Sequence, residues 1–169
     1  MVYLLDANAL IDANRDYYSL ERVPEFWEWL AYHSQKGDVK VPIEIFEEVN
    51  DGDDDLAIWI NDEKIGQDIL YQTEADPFLV ARCVEKGYAN NLTDDEIGKL
   101  GRDPFLLGYA LADPQQITIV TTEVSKPSKT RANKRLPDVA QSLGLRTLNV
   151  FQFTRELDFR TNWKEHLTG

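Results

Sequence analysis

Val2-Tyr3-Leu4-Leu5-Asp6-Ala7-Asn8-Ala9-Leu10 opens the chain and decides how the rest is read. Four apolar residues stop at an acid, and a second apolar stretch resumes after Asn8. An apolar run this short, ended by a carboxylate, reads as a buried strand that delivers Asp6 to its C-terminal end. Open α/β sheets gather their ligand sites along that edge. An apolar strand seldom ends in Asp-x-Asn for solubility alone, so Asp6 asks for a chemical reason.

The pattern beyond it alternates strand and helix. A short helix is expected from Asn8 to about Asn14, and a longer one through Phe26-Trp27-Glu28-Trp29-Leu30, with Pro24 in its first turn and Gly37 as its stop. Val39-Lys40-Val41 is a second strand, and Pro42 opens a helix over Ile43 to Val49. Helices follow over Leu56–Ile60 and Pro77–Lys86. Thr93-Asp94-Asp95-Glu96 is a capping-box sequence. Asp103-Pro104 starts an apolar helix, and Ile117-Thr118-Ile119-Val120-Thr121 is the strongest β-run in the chain. A helix over Pro137–Leu143, a strand over Arg146–Val150 and a helix over Phe151–Leu157 complete the series. Strands alternating with helices imply a three-layer α/β/α sandwich around a mostly parallel sheet, in one domain spanning residues 1–169.

Composition narrows the partners. A hydrophobic fraction of 43% fits a folded chain with a real core. No apolar run is long enough to span a membrane, and the single cysteine, Cys83, suits a reducing cytoplasm. A net charge of −12 argues against broad electrostatic grip on nucleic acid, but acids that hold a divalent metal count as negative until the metal arrives. The charge is also uneven: residues 44–55 hold seven acids and no base, whereas residues 126–135 hold five bases and no acid.

Four acids stand out by context. Asp6 leaves the first strand, Glu48 lies on the Ile45/Val49 side of the helix after the second, Asp103 opens an apolar helix, and Glu123 follows the strand Ile117–Thr121. Hard oxygen ligands converging on a sheet edge are what Mg²⁺ or Mn²⁺ requires. Each acid also has a plainer explanation. Asp103 before Pro104 is a good helix N-cap, Glu48 belongs to an acidic solvated helix, and Glu123 can simply lead into a loop.

Taken in order, the four resemble the motifs of the PIN-domain family of metal-dependent ribonucleases: Leu4-Leu5-Asp6-Ala7-Asn8, Glu48-Val49, Asp103-Pro104-Phe105-Leu106-Leu107-Gly108-Tyr109-Ala110 and Thr121-Thr122-Glu123. The last acid is Glu where the family has Asp, and the basic insert after it is longer than the family's compact loop. Asp138 therefore competes with Glu123 for the fourth place. The resemblance, to a divergent toxin-like bacterial branch, implies an Mg²⁺- or Mn²⁺-dependent endoribonuclease with Asp6, Glu48, Asp103 and Glu123 or Asp138 as ligands. Water activated by the metal would attack phosphorus in line, leaving a 5′-phosphate and a 3′-hydroxyl. Asn8 and Thr121 would orient ligands or water behind these acids. The expected partners are RNA and a cognate antitoxin protein, with a second copy of the chain as a further candidate.

Lys126, Lys129, Arg131, Lys134 and Arg135 follow Glu123 closely enough to overhang the same edge and clamp phosphates; a flexible solvated loop is the alternative. The stripe Phe26, Trp27, Trp29, Leu30 is either core or a surface for an antitoxin helix or second subunit. Asp51-Gly52-Asp53-Asp54-Asp55 lacks the Gly and Glu of a calcium loop. His33 and His166 are too few and too separated for zinc, and Cys83 lacks the setting of a nucleophile. Two other functions compete with the nuclease. One is a catalytically silent PIN-like module that binds RNA or protein. The other is a haloacid-dehalogenase-type phosphotransferase, which wants Asp-x-Asp where this chain has Asn8.

Overall fold

Five parallel strands form the centre of the computed structural model, which describes residues 1–167. Their order is β3-β2-β1-β4-β5, with β1 at Val2–Leu5, β2 at Val39–Pro42, β3 at Leu70–Tyr71, β4 at Ile117–Val120 and β5 at Arg146–Leu148. Parallel neighbours need a crossover between them, and the helices supply it. The most apolar strand lies in the middle: β1 pairs with β2 on one side (Tyr3 with Val39) and with β4 on the other (Leu5 with Val120).

The two faces of the sheet are packed differently. Alternation along β1 sends Tyr3 and Leu5 to one face and Leu4 to the other. The first face is covered by α1 (Ala7–Asp12), α2 (Pro24–Lys36), α3 (Ile43–Asn50), α4 (Asp55–Ile60), α5 (Glu63–Ile69) and α10 (Val150–Glu156). Phe26, Trp27, Trp29 and Leu30 are all buried here. Trp29 lies 5.4 Å from Phe153 and 5.1 Å from Phe159 between ring centroids. The aromatic stripe is therefore core, and the expectation that it might dock a partner is corrected: α2 spends that face on the sheet.

The second face carries α6 (Pro77–Arg82), α7 (Asp94–Lys99), α8 (Asp103–Ala112) and α9 (Leu136–Ser142) around Leu106, Leu107, Ala110 and Val139. The helix expected over Pro77–Lys86 is α-helical only to Arg82 and then widens into a π turn, Cys83–Tyr88. Gly87 lets this turn press on α9, since a Cβ there would meet Val139 Cγ1 at 2.5 Å. Three smaller differences concern boundaries. The helix after β1 changes to a π turn at Ala13, β5 ends at Leu148, with Val150 already helical, and the two-residue β3 has no periodicity to announce it.

The strand order positions the site. From β1 the chain moves outward to β2 and β3, then crosses back to the far side of β1 for β4 and β5. The segment leaving β1 enters α1 on the first face, and the one leaving β4 reaches α9 on the second. Where successive connections part to opposite faces, a crevice opens at the C-terminal ends of the strands. Asp6 stands on one lip of it and Thr121-Thr122-Glu123 on the other.

Candidate functional site

Asp6 continues the ladder of β1, its N–H donating to Val120 O at 2.9 Å. It occupies the N-cap position of α1 without a side-chain capping bond. The carboxylate instead accepts a hydrogen bond from Thr121 Oγ1 at 2.9 Å, in a setting that leaves Asp6 only 4% exposed. Thr121 was expected to orient a ligand or water, and its side chain makes this bond to Asp6. Asn8 lies exposed in the first turn of α1.

Asp103 resolves differently from its plain explanation. It is the first residue of α8, Arg102 holds the N-cap position, and no side-chain cap bond forms. Its Oδ2 accepts a hydrogen bond from Tyr88 Oη at 3.4 Å. Tyr88 comes from the end of the π turn and is buried. Burial and the negative charges of Asp103 and Glu123 push its phenol far upward, so it stays protonated and acts as a donor.

The electrostatics tie the four acids together. Asp6 is pushed up to about 6, by burial first and then by the charges of Glu123 and Glu48, while the Thr121 hydrogen bond opposes the rise. Asp103 is pushed up to about 7, by burial and by Asp6, Glu123 and Glu48, against the Tyr88 hydrogen bond. A buried and a half-buried carboxyl that share the charges of Glu48 and Glu123 disfavour full ionisation. Glu48 itself is exposed on α3. Next to it, Glu47 Oε2 meets Arg102 Nη1 at 3.4 Å, linking α3 to the start of α8.

Glu123 is partly committed. Its Oε2 accepts from Leu136 N at 2.9 Å at the start of α9, and its own N–H donates to Thr121 Oγ1 at 3.1 Å. Asp138 is engaged elsewhere: it accepts from Ser125 Oγ and from Lys126 N, pinning the loop after β4. The carboxylate expected to join or replace Glu123 as a ligand thus accepts one bond on each oxygen from the loop. Among the described residues, no three His, Cys, Asp or Glu side chains already form a group that could hold a metal ion. The four acids feel one another's charge without forming a finished cage. Their donor chemistry, hard carboxylate oxygen with repulsion to relieve, nonetheless suits a divalent cation such as Mg²⁺ or Mn²⁺.

The basic segment divides into two roles. Arg131 forks onto Glu96 (Nε to Oε1 2.7 Å, Nη2 to Oε2 2.8 Å) and also bonds Asn91. Lys134 Nζ donates to Gly87 O at 2.8 Å. Both were expected to face RNA; Arg131 spends most of its donors within the fold, whereas Lys134 uses one of its three. Lys129 and Arg135, with Lys134, line a cavity of about 290 Å³ whose floor includes Asp103, Glu123 and Tyr88. Lys99 of α7 lines it as well, and Lys126 does not. Sequence reasoning missed both Tyr88 and Lys99. Each is the last residue of its element and belongs to no motif of its own.

The family follows from the whole length of the chain, since a family model described as a domain of unknown function (DUF4411) matches residues 3–161. The chain belongs to the DUF4411 family. The matched span contains β1 to α10 and all four acids of this DUF4411 member. A comparison with curated proteins finds no match. Two of the rejected motifs have plain structural roles in the DUF4411 fold. Asp54 caps α4 by accepting from Ala57 N, and burial pushes the Cys83 thiol up to about 11, away from the thiolate a nucleophile needs.

Proposed function

We propose that this DUF4411 protein is a divalent-metal-dependent endoribonuclease, acting as the toxin of a toxin–antitoxin pair. The observation that carries the reading is the coupled pair Asp6 and Asp103. Asp6 is buried and Asp103 half-buried at the switch point of a parallel sheet, both are raised by burial and by neighbouring acids, and Asp103 opens onto a cavity lined with bases. Buried carboxyls with strongly shifted pKa values in a cleft mark functional sites more often than structural ones.

Asp6, Glu48, Asp103 and Glu123 would hold the ion. When bound, it supplies positive charge for the phosphodiester and lowers the pKa of a water. The chain does the rest. Thr121 fixes the carboxylate of Asp6, Tyr88 donates to Asp103, and the backbone N–H of Leu136 leaves Glu123 one oxygen uncommitted. Lysines and arginine on the cavity wall attract the anionic substrate to an otherwise acidic protein.

A labelled RNA incubated with Mn²⁺ tests the reading. The wild type is expected to cut internally and leave 5′-phosphate ends, and Asp6→Asn to slow cutting by roughly two orders of magnitude or more while melting cooperatively. Cleavage by Asp6→Asn at the wild-type rate would falsify the assignment. Expression of the wild type, but not of Asp6→Asn, should arrest growth. A second reading, a PIN-like module that binds RNA or protein without cutting, draws on the open arrangement of the four acids. It predicts RNA retention without cleavage in either metal.

A further inference from the structure

One wall of the cavity beside Asp103 and Glu123 has no role in holding a metal, and the inference drawn from it rests on the endoribonuclease reading. Lys99 ends α7, while Lys129, Asn133 and Arg135 come from the segment after β4, and all four line the cavity. Among the described residues, Lys99, Lys129 and Arg135 take part in no ion pair. Cations gathered on one wall without counter-charges repel each other until an anion arrives.

The wall is also held in place. Arg131 adopts φ 53°, a left-handed conformation that residues with a Cβ adopt at a cost. From there its guanidinium reaches both oxygens of Glu96 and also Asn91. Glu96 and Lys99 share α7. The fork therefore fastens the segment bearing Lys129, Asn133 and Arg135 to the helix bearing Lys99. A second fastening, Lys134 to Gly87 O, ties the same segment to the π turn that carries Tyr88. A strained residue with saturated donors beside cations left free is the arrangement of a built anion site.

We propose that this cavity is a nucleotide subsite that holds the phosphate next to the one being cut, with Lys99 and Arg135 as its main contacts. At about 290 Å³ it lies at the small end of ligand pockets, which suits a single nucleotide unit of a single strand and excludes a duplex. Asn133 adds an amide that can donate or accept, which a phosphate-only site does not need.

Calorimetric titration of the full chain in EDTA, with adenosine 5′-monophosphate, inorganic phosphate and adenosine as separate probes, tests this without any metal. The monophosphate should bind saturably at one site and adenosine roughly ten-fold more weakly or worse. Inorganic phosphate should fall between them. Lys99→Gln and Arg135→Gln should each weaken the monophosphate roughly ten-fold, whereas Lys64→Gln on α5 should leave it unchanged. All three positions are exposed, so the variants should melt as the wild type does. The subsite is overturned if the monophosphate does not saturate, if adenosine binds equally well, or if neither substitution matters. Failure of the nuclease reading looks different: RNA stays intact in Mn²⁺ while monophosphate binding still depends on Lys99.

Discussion

The aromatic face of the sheet and the acidic edge are both buried, and they are buried on opposite terms. On the face, Tyr18 stacks on Phe26 at 4.5 Å and Trp29 sits among Phe26, Phe153 and Phe159. Trp27 donates its indole N–H to Tyr18 O. Everything there is neutral and most of it is packed ring against ring. At the edge, Asp6 is buried and Asp103 half-buried next to charges of their own sign. One region gains stability from burial, and the other gives some up. A fold keeps such a debt where the groups have work to do.

The largest effect should come from breaking the favourable side. Trp29→Ala removes a side chain that is 1% exposed and should cost about 3–5 kcal/mol in a urea titration. The same substitution should leave the pH dependence of stability unchanged. A cost below about 1 kcal/mol would mean that the face is not the main core.

The acidic side should answer to pH. An acid whose folded pKa exceeds its unfolded value binds more protons when folded, so stability falls as pH rises between the two values. For Asp6 and Asp103 those limits run from 3.8 to about 6 and about 7. In EDTA the wild type should lose several kcal/mol, at most about 7, between about pH 4 and pH 8 and then level off. Asp103→Asn should flatten most of that slope and be more stable than the wild type at pH 8. Added Mn²⁺ should raise the melting temperature more at pH 8 than at pH 5, because it has ionised carboxylates to neutralise. A wild-type profile that stays flat across this window would remove the distinction between the two regions.

The smallest effect sharpens it. Thr121→Val removes the hydroxyl that donates to Asp6. It should cost about 1 kcal/mol above pH 7, where Asp6 is ionised, and less below pH 5, where it is protonated. A cost independent of pH would assign Thr121 to packing alone.

Legibility in the sequence follows the same division. The four acids could be found because each adjoins an unambiguous element: Asp6 a pure apolar strand, Asp103 a Pro-started apolar helix, Glu123 the best β-run, Glu48 a helix opened by Pro42. The parallel three-layer arrangement followed from the alternation of those elements. Tyr88 was hidden because it ends a π turn, where neither the 3.6 nor the 2.0 period holds. Lys99 was hidden because its partners across the cavity are more than 25 residues away, and charge patterning sees only near neighbours. The stripe at Phe26–Leu30 could be read either as core or as a surface, because an apolar helix face has the same period whether a sheet or a partner covers it. Glu123 and Asp138 stood level as fourth ligand until hydrogen bonds separated them, one carboxylate with an oxygen to spare and the other tied to the loop.

The position of β1 in the middle of the sheet also sets a schedule. It is the first strand to leave the ribosome, yet its neighbour β4 begins at Ile117, and the hydroxyl that holds Asp6 arrives with Thr121. The acidic edge therefore stays incomplete until β4 and Thr121 have been translated, and long-range parallel pairing of this kind closes slowly. A nascent or truncated chain ending before β4 carries Asp6, Glu48 and Asp103 but not the opposite lip of the crevice, Thr121-Thr122-Glu123. On the proposed ribonuclease reading, strand order alone would keep the chain harmless until β4 has been made.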